Sequence, residues 1–285
     1  MSVPPVPPAT HMGAVHLTVS DLARSLDYYR RSIGLDVLEQ GDGRATLGVG
    51  ATRLLELVEV PGAQPAPGRT GLFHFALLLP DRPSLARWLA HAVRERVRLS
   101  GASDHFVSEA IYLSDPDRHG IEIYHDRPRE LWEGQVAGRM GTDPLDLNGL
   151  LGELEDPETE PFERQPDGTT MGHVHLQVAD VPASVAFYRD LLGFGLMAEY
   201  GGQAAFLSAG GYHHHVGANT WRSGGAPPPA PGSAALRRFE IVLPGTGERD
   251  ALADRLASGG VDVEQEPAGP LARDPSGNAF VLLDR

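Results

Sequence analysis

The stretch VHLTVSD at residues 15–21 recurs as VHLQVAD at residues 174–180, an offset of 159 residues. Each copy alternates apolar and polar residues, as a strand does, and then continues into a helical segment with an aromatic pair, YY at 28–29 and FY at 187–188. A repeat at a fixed period takes precedence over local patterns. The chain is therefore predicted to be a duplicated scaffold whose first strand carries a histidine, with the aromatic pairs packed in its core.

Each half divides again into two similar units. A second strand-and-helix unit begins with GLFHFALLLP at residues 71–80, and its counterpart in the other half ends on the same Leu-Pro pair at residues 243–244. Each unit shows a strand, a helix and three shorter strands separated by glycine-rich turns. The sequence thus predicts an α+β fold of four βαβββ modules that form two barrel-like halves.

The predicted domain boundaries follow this division. Residues 11–126 form the N-terminal module pair, residues 127–170 a linker, and residues 171–285 the C-terminal module pair. The linker is rich in proline, glycine and acidic residues, and so long a stretch is unusual inside a compact domain. One short helix is expected within it, over residues 145–154.

Composition excludes several kinds of chemistry. The chain has 285 residues, a net charge of −14 and no cysteine, and all 24 basic residues are arginine. It therefore offers no thiolate nucleophile and no Schiff-base lysine. The acidic balance argues against nucleic acid or an anionic membrane as partner, and no apolar run is long enough to span a bilayer. We expect a cytoplasmic protein, and exposed barrel edges favour a homodimer.

Imidazole and carboxylate groups recur at matching points of the modules. The first strands supply His16, His74 and His175, and the last strands supply Glu56, Glu122 and the histidines at residues 213–215. The fourth module has arginine and valine at these places and is predicted to lack ligands. Two imidazoles and one carboxylate from separate strands make a facial triad, which leaves positions open on a metal ion.

Two arrangements of modules satisfy this pattern. If modules one and two close a barrel, His16 joins His74 and Glu122, with Glu56 as a fourth ligand. If modules two and three close it, His175 is the third ligand and His215 the fourth. We favour the second arrangement slightly, because it leaves the ligand-free fourth module beside the first.

His173 and the outward-facing histidines of the run at residues 213–215 are not expected to bind the metal. His173 shares a strand face with His175 and is placed at the entrance of the strand. Side chains alternate along the run at residues 213–215, so at most two of these imidazoles point inward.

The segment HFVSEAIYLSDP at residues 105–116, which leads to Glu122, resembles the signature of extradiol ring-cleaving dioxygenases. These proteins belong to the vicinal oxygen chelate superfamily, which includes glyoxalases and bleomycin resistance proteins. Nearly the whole chain is similar to its two-domain bacterial catechol-2,3-dioxygenase-like members. Ser103 and Arg118 depart from the pattern, since small residues such as glycine are usual there.

The resemblance implies a mononuclear Fe(II) or Mn(II) centre with His74, Glu122 and a further histidine as ligands. His105 would act as an acid–base residue beside the metal, and Tyr112 would hydrogen-bond the substrate or an oxygen intermediate. The implied substrates are dioxygen and a small aromatic diol, either a catechol or a hydroquinone-like ring. A neutral imidazole near the metal is suited to accept a proton and return it.

Two other function classes remain open at this point. A glyoxalase-type isomerase or epimerase uses the same scaffold and fits four filled ligand positions better than three. A protein that binds an aromatic metabolite or antibiotic without changing it is the other alternative. Fold alone does not choose among them.

Overall fold

The computed structural model describes residues 3–285. Each of its four modules begins with a strand, continues through a helix and ends with three further strands. The first module consists of β1 (His11–Val19), α1 (Leu22–Tyr28) with a π-helical turn at Tyr29–Ile33, β2 (Asp36–Gly41), β3 (Arg44–Val49) and β4 (Thr52–Glu59). The second consists of β5 (Gly71–Leu79), α2 (Arg82–Arg94), β6 (Leu99–Asp104), β7 (Ser108–Ser114) and β8 (Gly120–Asp126).

The segment between the repeats is largely structured. It contains a 3₁₀ turn (Arg129–Leu131), α3 (Val136–Arg139), β9 (Asp143–Pro144) and α4 (Leu147–Leu151). The short helix expected in the linker is confirmed by α4. The strand β9 was not expected: it pairs with β6, so that this segment extends the sheet of the second module.

The second half repeats the module pattern. The third module consists of β10 (Thr170–Gln177), α5 (Val181–Val185) with a π-helical turn at Ala186–Leu191, β11 (Gly195–Tyr200), β12 (Ala204–Ser208) and β13 (Val216–Asn219). The fourth consists of β14 (Leu236–Leu243), α6 (Thr246–Ser258), β15 (Glu264–Glu266), β16 (Gly269–Arg273) and β17 (Ala279–Asp284). The predicted fold of four βαβββ modules is confirmed.

Three of the module helices begin at an aspartate. Asp21, Asp81 and Asp180 each accept a hydrogen bond from a backbone N–H of the first helical turn, at 2.9, 2.8 and 2.7 Å. Such caps satisfy donors that have no partner inside the helix and fix the point where the chain leaves the strand. In the described residues no helix has the length and apolar character needed to cross a membrane.

The modules pair across the repeat rather than along it. One sheet has the strand order β15-β16-β17-β14-β1-β4-β3-β2 and joins modules one and four; the other has the order β11-β12-β13-β10-β5-β8-β7-β6-β9 and joins modules two and three. The favoured arrangement of modules is therefore confirmed, and the pairing of modules one and two is wrong. Residues 11–126 and 171–285 each contribute one module to either sheet.

Two similar hydrogen bonds connect the halves of the fold. In each, a tyrosine on the helix of a module in one sheet donates to an aspartate of a module in the other sheet. Tyr29 Oη donates to Asp115 Oδ2 at 2.9 Å, and Tyr188 Oη donates to Asp274 Oδ2 at 3.2 Å. Both tyrosines are fully buried, as expected for the aromatic pairs. Each bond joins a helix of one module to the turn before the last strand of the next module, so the two bonds tie the sheets together.

Removing the tyrosine hydroxyl should destabilise the protein to a different extent at the two positions. Tyr29→Phe deprives Asp115 Oδ2 of its donor in the described structure, so we expect the free energy of unfolding to fall by about 1–3 kcal/mol. Tyr188→Phe should cost only about 0.5–1.5 kcal/mol, because Asp274 Oδ2 keeps a 2.9 Å bond from Asn278 Nδ2. Urea unfolding of the two variants measures the difference, and equal losses would contradict this account.

Candidate metal centre

The sheet of modules two and three curves around a cavity of about 520 Å³. This volume lies within the range of about 300–1,000 Å³ that is usual for small-molecule sites. Strands β5, β6, β7, β8 and β10 line it, together with the segment after α3 and the residues beyond β13. Four histidines, one glutamate and one tyrosine from the predicted site region line it, and all of them are buried or half-buried.

Three donor groups converge beside the cavity because of strand register; two of them, His74 and Glu122, line it. Ala76 of β5 pairs with Glu122 of β8 on one side and with His173 of β10 on the other. His74 lies two residues before Ala76 and so projects from the same face of β5. The small alanine side chain leaves the space between the three donors free.

The three donor atoms form a compact triangle. His74 Nε2 lies 2.9 Å and His173 Nε2 lies 3.2 Å from Glu122 Oε2. The two imidazole nitrogens are 3.4 Å apart. Donors that occupy neighbouring octahedral positions at about 2.1 Å from one ion are separated by about 3 Å. The triangle therefore has the size and the two-histidine, one-carboxylate composition of a facial triad for a divalent metal.

Electrostatics keep the donors in the state that a metal requires. Burial lowers the pKa of His173 to about 4, so its imidazole is neutral near pH 7 and its lone pair is available. Burial alone raises the pKa of Glu122, but the adjacent His173 and His74 bring it well below its ordinary value. The carboxylate is thus charged although it is buried.

His175, the third ligand expected from the sequence, lies next to this group but outside it. The compact set of donors among residues 3–285 is His74, Glu122 and His173. His175 faces His74 across the β5–β10 pair, with 5.0 Å between the ring centroids, and lines the cavity. Its Nε2 atom is buried and has no hydrogen-bond partner in the described part of the chain.

His16 and Glu56, the ligands of the alternative arrangement, belong to the other sheet. His16 Nε2 lies 3.0 Å from Glu240 Oε1, which also accepts from Arg53 at 2.8 Å. Glu56 accepts from Thr46 at 3.0 Å. The fourth module thus does supply an acid, Glu240, and an arginine occupies the position that a cation would take between these groups.

The histidine run precedes β13 instead of forming the last strand of its module. His215, the expected fourth ligand, is turned away from the cavity and accepts from Ala209 N–H through Nδ1 at 3.1 Å. His214 is the member of the run that lines the cavity, and its ring centroid is 4.0 Å from that of His173. His213 lies behind it and bonds Asp126 at 2.8 Å.

His105 and Tyr112 form a hydrogen-bonded pair beside the triad. His105 Nδ1 lies 2.5 Å from the carbonyl oxygen of Gly141, so this nitrogen carries the proton. Its Nε2 is then the acceptor for Tyr112 Oη, at 2.6 Å. Tyr112 pairs directly with Glu122 across β7 and β8, which directs the phenol toward the metal ligands.

The turn that carries His105 is conformationally strained. Phe106 adopts a left-handed backbone conformation with φ +69°, which is rare for a bulky residue. Its ring lies under the Arg139 guanidinium at 3.8 Å from carbon Cζ to the centroid, and its N–H donates to Asp104 at 2.8 Å. These contacts, one from Arg139 of the linker and one from Asp104 at the end of β6, hold the turn that carries His105.

Comparison with known proteins shows the family of the chain. The family model described as Glyoxalase/Bleomycin resistance protein/Dioxygenase superfamily matches residues 11–123 and 170–282. The chain belongs to this superfamily. A protein of Bacillus subtilis (strain 168) named catechol-2,3-dioxygenase is 42% identical over 280 residues, which cover 96% of this chain and 97% of that protein.

Solved structures share the fold at lower identity. Glyoxalase I from Zea mays is 18% identical with a TM-score of 0.59 and covers 97% of this chain and 92% of its own. The cppA protein from Streptococcus pneumoniae TIGR4 is 12% identical with a TM-score of 0.56 and covers 96% and 99%. These similarities concern the fold. The superfamily relationship together with the buried donor triangle implies a divalent metal ion.

Metal affinity distinguishes the two histidines of β10. We expect His173→Gln to weaken binding of Mn(II) at least about a hundredfold, because it removes one corner of the donor triangle. His175→Gln is the matched control from the same strand and should retain the ion. Elemental analysis after dialysis, with chelator competition for affinity, measures both. Loss of metal from His175→Gln with retention in His173→Gln would overturn the assignment.

Proposed function

We propose that the protein is a mononuclear non-haem metal dioxygenase that cleaves a catechol- or hydroquinone-like ring in the extradiol manner. In this reaction a ring C–C bond beside the diol breaks, and both atoms of dioxygen are added to the ring-opened product. The observation that carries the proposal is the His74–Glu122–His173 triangle beside a cavity that His74, Glu122 and the His105–Tyr112 pair line together. The 42% identity to a protein named catechol-2,3-dioxygenase supports it.

We propose Fe(II) or Mn(II) as the ion, held by His74, Glu122 and His173. Three donors on one face leave positions for the two diol oxygens and for dioxygen, and mixed nitrogen and oxygen donors suit either metal. When bound, the ion supplies Lewis acidity that makes the diol easier to deprotonate and brings dioxygen beside it.

The His105–Tyr112 pair is suited to take up the proton that the diol releases. Burial, together with the charge of Glu122, raises the pKa of Tyr112 well above its ordinary value, so the phenol remains protonated. Its oxygen can accept the proton of a substrate hydroxyl while its own proton passes to His105 Nε2. The Gly141 carbonyl holds the imidazole in the tautomer that this transfer needs.

Two neutral imidazoles at the cavity wall complete the environment. Burial holds the pKa values of His175 and His214 well below the ordinary range, so neither adds a positive charge near the ion. Uncharged, partly desolvated walls strengthen the interaction between the ion and an anionic diol.

The number of metal-ligand atoms that lie close together helps to distinguish a dioxygenase from the alternative functions. Three donors within hydrogen-bond distance of one another fit a site that admits dioxygen, whereas an isomerase needs no position for it. An isomerase remains the second candidate because the scaffold also carries that chemistry. A binding protein would return its ligand unchanged.

The decisive experiment uses protein loaded with Fe(II) or Mn(II) under argon and mixed with catechol. We expect no reaction until air is admitted, and then consumption of one dioxygen per catechol with the appearance of a ring-opened product. Turnover under argon would favour the isomerase and contradict the proposal. Recovery of intact catechol in air, with stoichiometric metal present, would also contradict it.

Variants of the acid–base pair test the proton route separately from metal binding. We expect His105→Gln to lower kcat by about 10²–10⁴, the range for loss of a general acid–base group, with metal content unchanged. Tyr112→Phe should lower kcat in the same direction, because it interrupts the path to His105 Nε2. His11→Gln, at an exposed histidine outside the cavity, is the control. Full activity of both cavity variants would refute this role.

A further inference from the structure

The mouth of the cavity is formed where four strands of one sheet begin or end. Strands β5 and β8 start there, at Gly71 and Gly120, and β10 and β13 end there, at Gln177 and Asn219. Phe73 near the start of β5 and Arg118, Trp221 and Arg222 in the turns next to these strand ends form the rim, and all four line the cavity.

The rim carries positive charge that the protein itself does not neutralise. Arg118 and Arg222 are both exposed, and within residues 3–285 neither guanidinium lies within the 4.0 Å ion-pair distance of a carboxylate. The acid beside Arg118 in sequence, Asp117, is already paired with Arg24 at 2.7 Å. Glu122 is the one carboxylate among the lining residues of the described chain, and it belongs to the metal site.

Arg118 occupies a backbone conformation that disfavours any residue other than glycine. Its φ is +68°, and the corresponding turn of the fourth module has Gly277 at φ +84°. The two turns have the same hydrogen-bond pattern. Arg118 N–H donates to Asp115 O at 3.0 Å, and Gly277 N–H donates to Asp274 O at 2.9 Å. Only the copy at the cavity mouth bears the long cationic side chain, at a cost in backbone strain.

An aromatic surface lies beside these charges. Trp221 is 48% exposed, and its ring centroid is 5.3 Å from that of Phe73 and 5.6 Å from that of His175. An exposed tryptophan at the opening of a cavity provides a flat apolar contact for a ring or for its side chain.

We propose that this rim selects diols whose aromatic ring carries an anionic substituent, a carboxylate above all, with Arg118 and Arg222 as the specificity-determining residues. The inference rests on the proposed function and extends it by naming the substrate class. A guanidinium and a carboxylate form strong charge-assisted hydrogen bonds, and the planar fork of arginine fits the two carboxylate oxygens.

The test measures equilibrium binding to the metal-loaded full chain under argon, where ring opening does not occur. The probes are 3-(3,4-dihydroxyphenyl)propionate and its methyl ester, which differ in charge and share the diol. For the unmodified protein we expect the acid to bind at least about tenfold more tightly than the ester, as one charge-assisted contact predicts. Raising the ionic strength should weaken binding of the acid more than that of the ester.

Two variants and a matched control locate the effect. Arg118→Gly, which copies the glycine of the fourth module, and Arg222→Gln should each reduce the ratio of ester Kd to acid Kd by about three- to tenfold. Arg96→Gly is the control, because Arg96 is also exposed and left-handed, at φ +54°, but does not line the cavity. Its ratio should match that of the unmodified protein.

The outcomes separate this inference from the proposed function. Equal Kd values for acid and ester in the unmodified protein, or an unchanged ratio in both rim variants, would overturn the inference even if catechol is cleaved in air. A preserved preference for the acid that the rim variants abolish would support it even if the aerobic assay contradicted ring cleavage.

Discussion

The pairing of β5 with β10 is the constraint on which the site depends. These strands come from opposite halves of the repeat, and their register sets His173 against Ala76 and His175 against His74. The neighbouring β8 then brings Glu122 to the same alanine from the other side. A slip of one residue in either pair would turn its histidines or its glutamate to the opposite face of the sheet. The metal site is therefore a property of the module pairing and not of either repeat alone.

Each sheet contains a buried glutamate, and the groups around this glutamate differ between the two sheets. In the sheet of modules one and four, Arg53 provides a cation to Glu240, which also bonds His16. In the sheet of modules two and three, Glu122 is equally buried but has no arginine beside it in the described chain, and burial lowers the pKa of its neighbour His173 to about 4. A buried carboxylate without a cation is costly, so an ion taken from solution stabilises this half of the fold as well as serving catalysis.

The sequence was sufficient for the modules and their elements and for the recurring histidine and glutamate positions, because each depends on local pattern or spacing, whereas the roles of His105 and Tyr112 were implied by the family resemblance. It did not indicate His173 as a donor, although its spacing from His175 on one strand was the available signal. The register of the β5–β10 pairing, with irregularities between residues 171 and 173 and between 175 and 176, sets His173 against Ala76 and His175 against His74, and it depends on the partner strand. The contact of the linker carbonyl at Gly141 with His105 is equally non-local.

The crossed pairing of modules also governs how the chain can be made. During synthesis β1 and β5 emerge long before β14 and β10, the strands that cover their edges. Until then both present unpaired backbone groups and apolar faces, which are prone to association with other chains. Contacts between such distant segments form slowly, since a long loop must close first. The nascent first half consequently has to persist in an incomplete state until the strands of the second half are made.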